Sequence, residues 1–385
     1  MAEWVERKIS DIGTVIGGAT PSTKKPENYE NGEIAWITPK DLSTFSSRYI
    51  ERGERNITEI GLKSCSTQLL PPNTVLFSSR APIGYVAIAA NEVCTNQGFK
   101  SVIPNENTDP LFLFYLLKYN KDKIEGMGSG TTFKEVSGNT MKNIIVNVPT
   151  DKKVQEKIAA ILGSIDDKIE ENEQINNNLE QQAQAIFKSW FVDLEPFSNR
   201  KPSDWSVSTL GNVSIMGAGG DKPQNVSPIK TDLYKYPIYS NGLSNEGLYG
   251  FTDKPKISEE SVTVSARGTI GFVCLRHIPY VPIVRLVTLT PKTEIISAKY
   301  LYLWLKQLHI TGTGTTQQQL TVPDFQKTEI LVPSQEIVTL FTATVDPIFE
   351  KIWANQNENE KLSSLRDTLL PKLISGELDV SSIDL

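Results

Sequence analysis

The sequence predicts an α+β chain: two strand-rich α/β globules, each followed by one long helix, with the two helices paired like a coiled coil and the halves related by an internal pseudo-two-fold repeat. Two observations carry this. The first is a pair of long segments with helical apolar spacing. Residues 152–191 contain no proline and one glycine, and apolar side chains recur at Val154, Ile158, Ile161, Ile165 and Ile169, then at Ile175, Leu179, Ala183, Ile186 and Trp190. Steps mostly of three and four place these on one stripe. Residues 335–378 carry Ile337, Phe341, Val345, Phe349 and Ile352, then Leu362, Leu365, Leu369 and Leu373. Pro347 falls inside this segment and is expected to kink or interrupt it. At a rise of 1.5 Å per residue, a helix of such length reaches about 60 Å, and each stripe must be covered, most simply by the other.

The second observation is a duplication. Val75-Leu-Phe-Ser-Ser-Arg80-Ala-Pro-Ile-Gly84-Tyr-Val86 returns as Val262-Thr-Val-Ser-Ala-Arg267-Gly-Thr-Ile-Gly271-Phe-Val273. Gly128-Ser-Gly-Thr-Thr132 returns as Gly312-Thr-Gly-Thr-Thr316, and each copy runs through an apolar strand to a proline, Pro149 or Pro333. A period this long marks a repeated domain. The segments are therefore a first globule at 1–150, a long helix and linker start at 151–195, a second globule at 196–333, and a distal helix and tail at 334–385.

Each element has a local reason. In the first globule, Lys8–Ile12, Ile34–Thr38, Asn73–Ser78, Tyr85–Ala89, Phe99–Ile103 and Ile144–Val148 alternate or are β-branched and read as strands. Asp109 or Pro110 opens a short helix to Tyr119, and Ser137 can cap a turn before the last strand. In the second globule, Trp205–Gly211 repeats the opening and Tyr236–Leu243 takes the place of Trp36–Leu42. Ser297 caps a helix over 298–308, and Thr321 caps a turn before Glu329–Val332.

Composition narrows the function. A chain of 385 residues with 39% hydrophobic and 22% charged residues is ample for sizeable cores. No apolar run approaches a membrane span, and the opening Met-Ala-Glu-Trp-Val-Glu-Arg lacks a signal-peptide core. Cys65, Cys94 and Cys274 form neither a disulfide framework nor a zinc spacing, so a reducing cytoplasm is expected. The net charge of −6 divides as 0, −5, +4 and −5 over the four segments. The helices carry the acid, so any nucleic acid must be held by the globules.

Motifs for catalysis are missing from the sequence. His277 and His309 stand apart from any metal spacing. There is no phosphate loop, no Gly-x-Gly-x-x-Gly after a strand and no Gly-x-Ser-x-Gly elbow. Asp166 and Asp167 are adjacent on a helix and face different ways. Three readings stand at this point: a DNA-binding scaffold, a DNA methyltransferase with its own recognition domain, and a coiled-coil scaffold for protein. The methyltransferase would need an Asn/Asp-Pro-Pro-Tyr/Phe motif, which is missing from the sequence.

Arg267-Gly-Thr-Ile-Gly271, the two Gly-x-Gly-Thr-Thr loops, Ser189-Trp-Phe-Val-Asp-Leu-Glu-Pro-Phe197 and Leu369-Leu-Pro-Lys-Leu-Ile-Ser-Gly-Glu-Leu378 together resemble the DNA specificity subunit of Type I restriction–modification systems, over nearly the whole chain and in the same order. The resemblance implies two target-recognition domains and an antiparallel helical hairpin. Each domain would read half of a bipartite double-stranded DNA target, and the helices would dock two methyltransferase subunits. Adenosylmethionine would sit on those partners and ATP on restriction (translocase) subunits. The chain itself would hold no cofactor, no metal and no catalytic residue.

The candidate DNA contacts are Arg80 and Arg267, which suit guanine or phosphate or an internal salt bridge. Thr131, Thr132, Thr315 and Thr316 lie in loops that suit phosphate or simply turn the chain. Lys40 and Lys134 can neutralise phosphates, and Gln317 to Gln319 can read adenine; both sets are also ordinary surface residues. Arg80 is followed by Ala81-Pro82 where Arg267 is followed by Gly268-Thr269. That turn is expected to survive, with its DNA contact altered. Mid-helix Asn172 and Asn176 to Asn178 can fix the register of the helices or form a polar face. Helix packing is assigned to Val154, Ile158, Ile161, Ile165, Leu179, Ile186, Trp190, Phe341, Val345, Leu362 and Leu369.

Overall fold

The computed structural model describes residues 3–130, 134–312, 319–381 and 383. Two 40-residue helices, Lys152–Phe191 and Gln335–Ile374, dominate it. The four sequence segments regroup into two compact units, residues 1–173 with 356–385, and residues 174–355. Each globule thus takes one half of each long helix. The reason is burial: the helix stripes insert into the globules' own cores.

In the first unit, Val154, Ile158, Ala159 and Leu162 from the first helix and Leu373 and Ile374 from the second share one core with Phe112 to Leu117 and Val148. Val380 joins them, and Leu369 packs at the edge. A five-stranded sheet has the order Gly13–Gly17, Lys100–Pro104, Val75–Ser79, Ile83–Ala89, Tyr49–Ile50. Beside it lie a three-stranded sheet built on Ile34–Ile37 and a pair formed by Trp4–Lys8 and Ile145–Pro149. Arg48, 5% exposed, pins the first helix. It donates to Gly163 O at 3.3 Å and Glu170 Oε1 at 3.2 Å, and it pairs with Asp167. Asp166, on the neighbouring face, accepts from the Tyr115 hydroxyl at 2.7 Å and from Arg366 at 2.8 Å. The adjacent carboxylates do face different ways and serve two anchors.

The second unit repeats the plan. A four-stranded sheet runs Ser214–Ala218, Leu286–Pro291, Ser261–Ser265, Val273–Arg276, and the helix Ala298–Gln307 packs on it. Ala183, Phe187 and Phe191 meet Phe341, Val345 and Phe349 in one core, with Leu179, Ile186, Trp190 and Phe197 against it. Trp190, Phe191 and Phe197 stand 183 positions before Leu373, Ile374 and Val380, and each trio packs into or against the core of its own unit.

Several expectations need correction. Lys8–Ile12 is not one strand: the strand ends at Lys8, and Ile9–Ile12 makes a helical turn because Asp11 accepts the Lys8 N–H at 3.0 Å. The second helix runs unbroken through Pro347 and Pro371. Val345 and Phe349, both buried on either side of Pro347, supply packing that outweighs one missing backbone bond. The stripe holds at Val154, Ile158, Ile165, Ala183, Phe341, Val345, Phe349 and Leu373, all buried, but departs locally: Leu162 and Phe187 are fully buried where Ile161, Ile186 and Leu362 are half-buried, and Leu365 is exposed.

Asparagines sit at the helix contact in both units. Asn172, 1% exposed, donates to Glu358 Oε2 at 2.8 Å and Asn359 Oδ1 at 2.9 Å, and Asn359 donates to Ile169 O. In the second unit, buried Asn355 donates to Asn176 Oδ1 at 2.8 Å. These bonds are made only in one register; Asn177 and Asn178 are exposed. The pairings run 172 with 358 and 166 with 366 in the first unit, so there the helices are antiparallel.

His277 stacks on Trp353 with centroids 4.1 Å apart. Burial and the nearby Lys299 and Arg276 charges push its pKa from 6.5 down to about 4. Between those values the unfolded chain binds a proton that the folded unit does not, so stability is full above about 6.5 and falls as pH drops towards 4. Urea midpoints of the second unit should fall over that window, and His277→Phe should flatten the slope. An equally steep slope in the variant would assign the effect to other groups.

Candidate nucleic-acid interface

In both domains the turn that carries the arginine is bonded to a residue just past the Gly-rich motif. In the first, Val75–Ser79 and Ile83–Ala89 form a hairpin in which Ser79 faces Ile83, so the turn containing Ala81 and Pro82 does survive. Past the Gly128 loop, Val136 N–H donates to Ser79 O at 3.0 Å, the carbonyl just before Arg80. In the second, Leu320 N–H donates to Ala266 O at 2.8 Å, the carbonyl just before Arg267. One main-chain bond thus ties the arginine turn to the far side of the Gly-rich loop, twice. Gly84 and Gly271 match in the repeat because both adopt φ near +90° (+99° and +83°), where a side chain is strained.

Arg80 is half-exposed and lies 3.6 Å from Glu135, which also pairs with Lys100 at 3.3 Å. Ser129 and Glu135 exchange backbone bonds of 3.0 and 2.9 Å, closing the base of the loop that carries Thr131 and Thr132. Glu135 therefore links the arginine to that loop. Thr131, Thr132, Thr315, Thr316 and Gln317 themselves lie outside the described residues. Lys134 is exposed beside the loop. Lys40 is well exposed on the turn Pro39–Leu42 and pairs with Glu54 at 2.6 Å, which raises its pKa. Exposed pairs of this kind are weak, so a phosphate can displace the carboxylate.

Arg267 is half-buried, and its carbonyl accepts from Asn241 Nδ2 at 2.7 Å. Asn241 lies in the loop 240–247 that follows the strand Tyr236–Tyr239. The sequence marks Tyr236–Leu243 only as the counterpart of Trp36–Leu42 and gives no role to Asn241, nor to buried Arg276, which grips the same loop. Their partners are 26 and 30 residues away, and one sequence offers no signal for such pairs. Among the described residues no group of three or more His, Cys, Asp or Glu is placed to hold a metal ion. No helix among them is long and apolar enough to cross a membrane.

A family model described as the Type I restriction modification DNA specificity domain matches residues 1–181 and again 202–364. The chain is similar to the Type I restriction enzyme MjaIX specificity subunit of Methanocaldococcus jannaschii, with 36% identity over 99% of this chain and 95% of that one. It is 29% identical to the HindI specificity subunit of Haemophilus influenzae, over 98% of this chain and all of the other. The fold resembles the crystal structure of the Type I restriction–modification S subunit from M. genitalium, with a TM-score of 0.58 at 18% identity over 97% of this chain and 96% of that one. With that domain matched once in each half of a duplicated chain, and a relative aligned along nearly all of it, the chain belongs to the DNA specificity subunits of Type I restriction–modification systems.

Proposed function

We propose that the chain reads a bipartite, asymmetric DNA target for a Type I complex, one half-site per strand-rich domain, and catalyses nothing itself. The observation that supports this is the repeated bond from Val136 to Ser79 and from Leu320 to Ala266. It ties the residue before each arginine to the chain leaving each Gly-rich stretch, which supports a pairing of base reader and phosphate cradle. Arg80, Lys40, Lys134 and the threonines of the first loop serve one half-site. Arg267, Gln317 and the threonines of the second loop serve the other. The framework is shared and the loops differ, so the half-sites differ. The long helices set the spacing and dock two methyltransferase subunits, which carry adenosylmethionine. Restriction subunits that use ATP complete the complex in the cytoplasm.

The test is binding of duplex DNA by the chain together with its methyltransferase subunits. Affinity should fall steeply with salt, because each phosphate contact releases counterions. Incubated alone with adenosylmethionine, the chain should methylate nothing. Affinity indifferent to both salt and sequence would point to a protein-binding scaffold, and methylation by the lone chain would make it an enzyme.

A further inference from the structure

Arg276 ends the strand Val273–Arg276 and is 3% exposed. A buried guanidinium needs a partner for each donor face, and this one has them. Nε donates to Thr263 Oγ1 at 3.0 Å, Nη1 to Glu246 Oε2 at 2.8 Å and Nη2 to the Glu246 carbonyl at 2.7 Å. Its guanidinium carbon lies over the Tyr239 ring, 3.6 Å from the centre. Thr263 and Tyr239 belong to the sheets, whereas Glu246 belongs to a loop, so the arginine fastens loop to framework.

That loop has an unusual backbone. Asn245 and Glu246 take φ of +46° and +52° and Gly247 follows at +82°. Consecutive left-handed residues other than glycine are disfavoured and persist only where neighbours impose them. The clamp on both the carboxylate and the carbonyl of Glu246 is such an imposition. Ser240 N–H closes the loop on Gly247 O at 2.7 Å. The loop is fastened to the arginine turn as well: Asn241 Nδ2 donates to Arg267 O at 2.7 Å, and Thr269 Oγ1 donates to Asn241 O at 2.5 Å. Leu243, Ser244 and Asn245 are left exposed on it. An asparagine can read adenine and an apolar group can meet the thymine methyl.

The first domain holds its matching segment differently. Asp41 accepts from Thr38 N–H and Glu54 N–H, each at 2.7 Å. With Val273 matched to Val86, the position of Arg276 is held by Ala89. The clamp is therefore private to the second domain, as expected of a device for one half-site only.

We infer that Arg276 is a positioning residue for specificity: through Glu246 it fixes the loop 240–247 against the Arg267 turn, and this loop reads bases of the second half-site. The inference rests on the proposed reading of DNA by the two domains. It is tested in the full chain with its methyltransferase subunits, by sequencing modified bases in DNA exposed to the complex. Arg276→Lys keeps the charge but not the fork or the planar guanidinium over Tyr239. It should relax at least one base of the second half-site, with discrimination falling about tenfold or more, and leave the first half-site as in the parent. Glu246→Gln, at a half-exposed position, should relax the same base, and the double variant should be no worse than Arg276→Lys alone, because the two residues act as one unit. A folded Arg276→Lys complex with both half-sites unchanged would overturn the inference. If Arg276→Lys does not fold, Glu246→Gln decides alone in the same way. Failure of the underlying reading looks different: exchanging residues 196–333 for those of another specificity subunit would then leave the second half-site unaltered.

Discussion

Truncating the chain after Ser364 is expected to unfold the N-terminal globule, not the C-terminal one. The removed segment supplies Leu373, Ile374 and Val380, each no more than 1% exposed, to the core that holds Val154, Ile158, Leu162 and Phe112 to Leu117. Leu369 and Leu370 pack at its margin. Full burial of an aliphatic side chain is worth about 1.5–3 kcal/mol, so three of them give roughly 5–9 kcal/mol, comparable to the ~5–15 kcal/mol that holds a whole domain folded. Arg366 leaves too, so Asp166, 5% exposed, keeps only the Tyr115 hydroxyl. A buried carboxylate stripped of its cation adds to the loss. Hydrogen exchange separates the units. Protection should collapse in Ile145–Pro149 and Pro110–Tyr119 and persist in Ser261–Ser265, whose core draws on Phe341 to Phe349 and keeps them. Collapse of the second unit first would mean that the distal helix belongs with its sequence neighbour.

How much of this was legible beforehand differs by level. The long helices are readable because apolar residues recur at steps of three and four in both halves of each segment, broken only between 169 and 175 and between 352 and 362, a run longer than any competing turn signal. The duplication was readable because Arg80 and Arg267 stand in near-identical strings. The capped turns at Asp109, Ser137, Ser297 and Thr321 were readable from one residue each, and all four side chains accept the expected backbone N–H. The short strands Tyr49–Ile50 and Arg55–Ile57 were not, since two or three residues carry no period of their own. Nor was the division of each helix between two units. An apolar stripe says that a face is covered, but not whether the cover is the other helix, a sheet or both. Arg48 and Arg276 look like any other arginine until the fold brings Glu170 and Glu246 to them.

The second large effect concerns the seam itself. Phe187 is 1% exposed, and its ring lies 5.1 Å from Phe191, 5.4 Å from Tyr300 and 5.9 Å from Phe341. It joins both long helices to the helix Ala298–Gln307. Phe187→Ala removes the ring from a site walled by other large aromatics, which cannot collapse into the space without leaving their own edge-to-face contacts. The expected cost is about 3–5 kcal/mol, enough to leave the second unit marginal. Phe187→Leu keeps most of the volume and should cost about 1.5 kcal/mol or less. Tryptophan fluorescence reports the change locally. Trp190 and Trp205 contact the same aromatic group through Phe191 and Phe197, whereas Trp4 and Trp36 belong to the first unit. The emission transition of the second unit should move to lower urea in Phe187→Ala, while exchange protection in the first unit stays at its parent value. If, as proposed, each domain must hold its half-site for modification, the variant complex should also lose methylation of the whole target, and cooling below the new midpoint should restore it. Equal destabilisation by the alanine and leucine variants would show that ring packing is not what holds the seam.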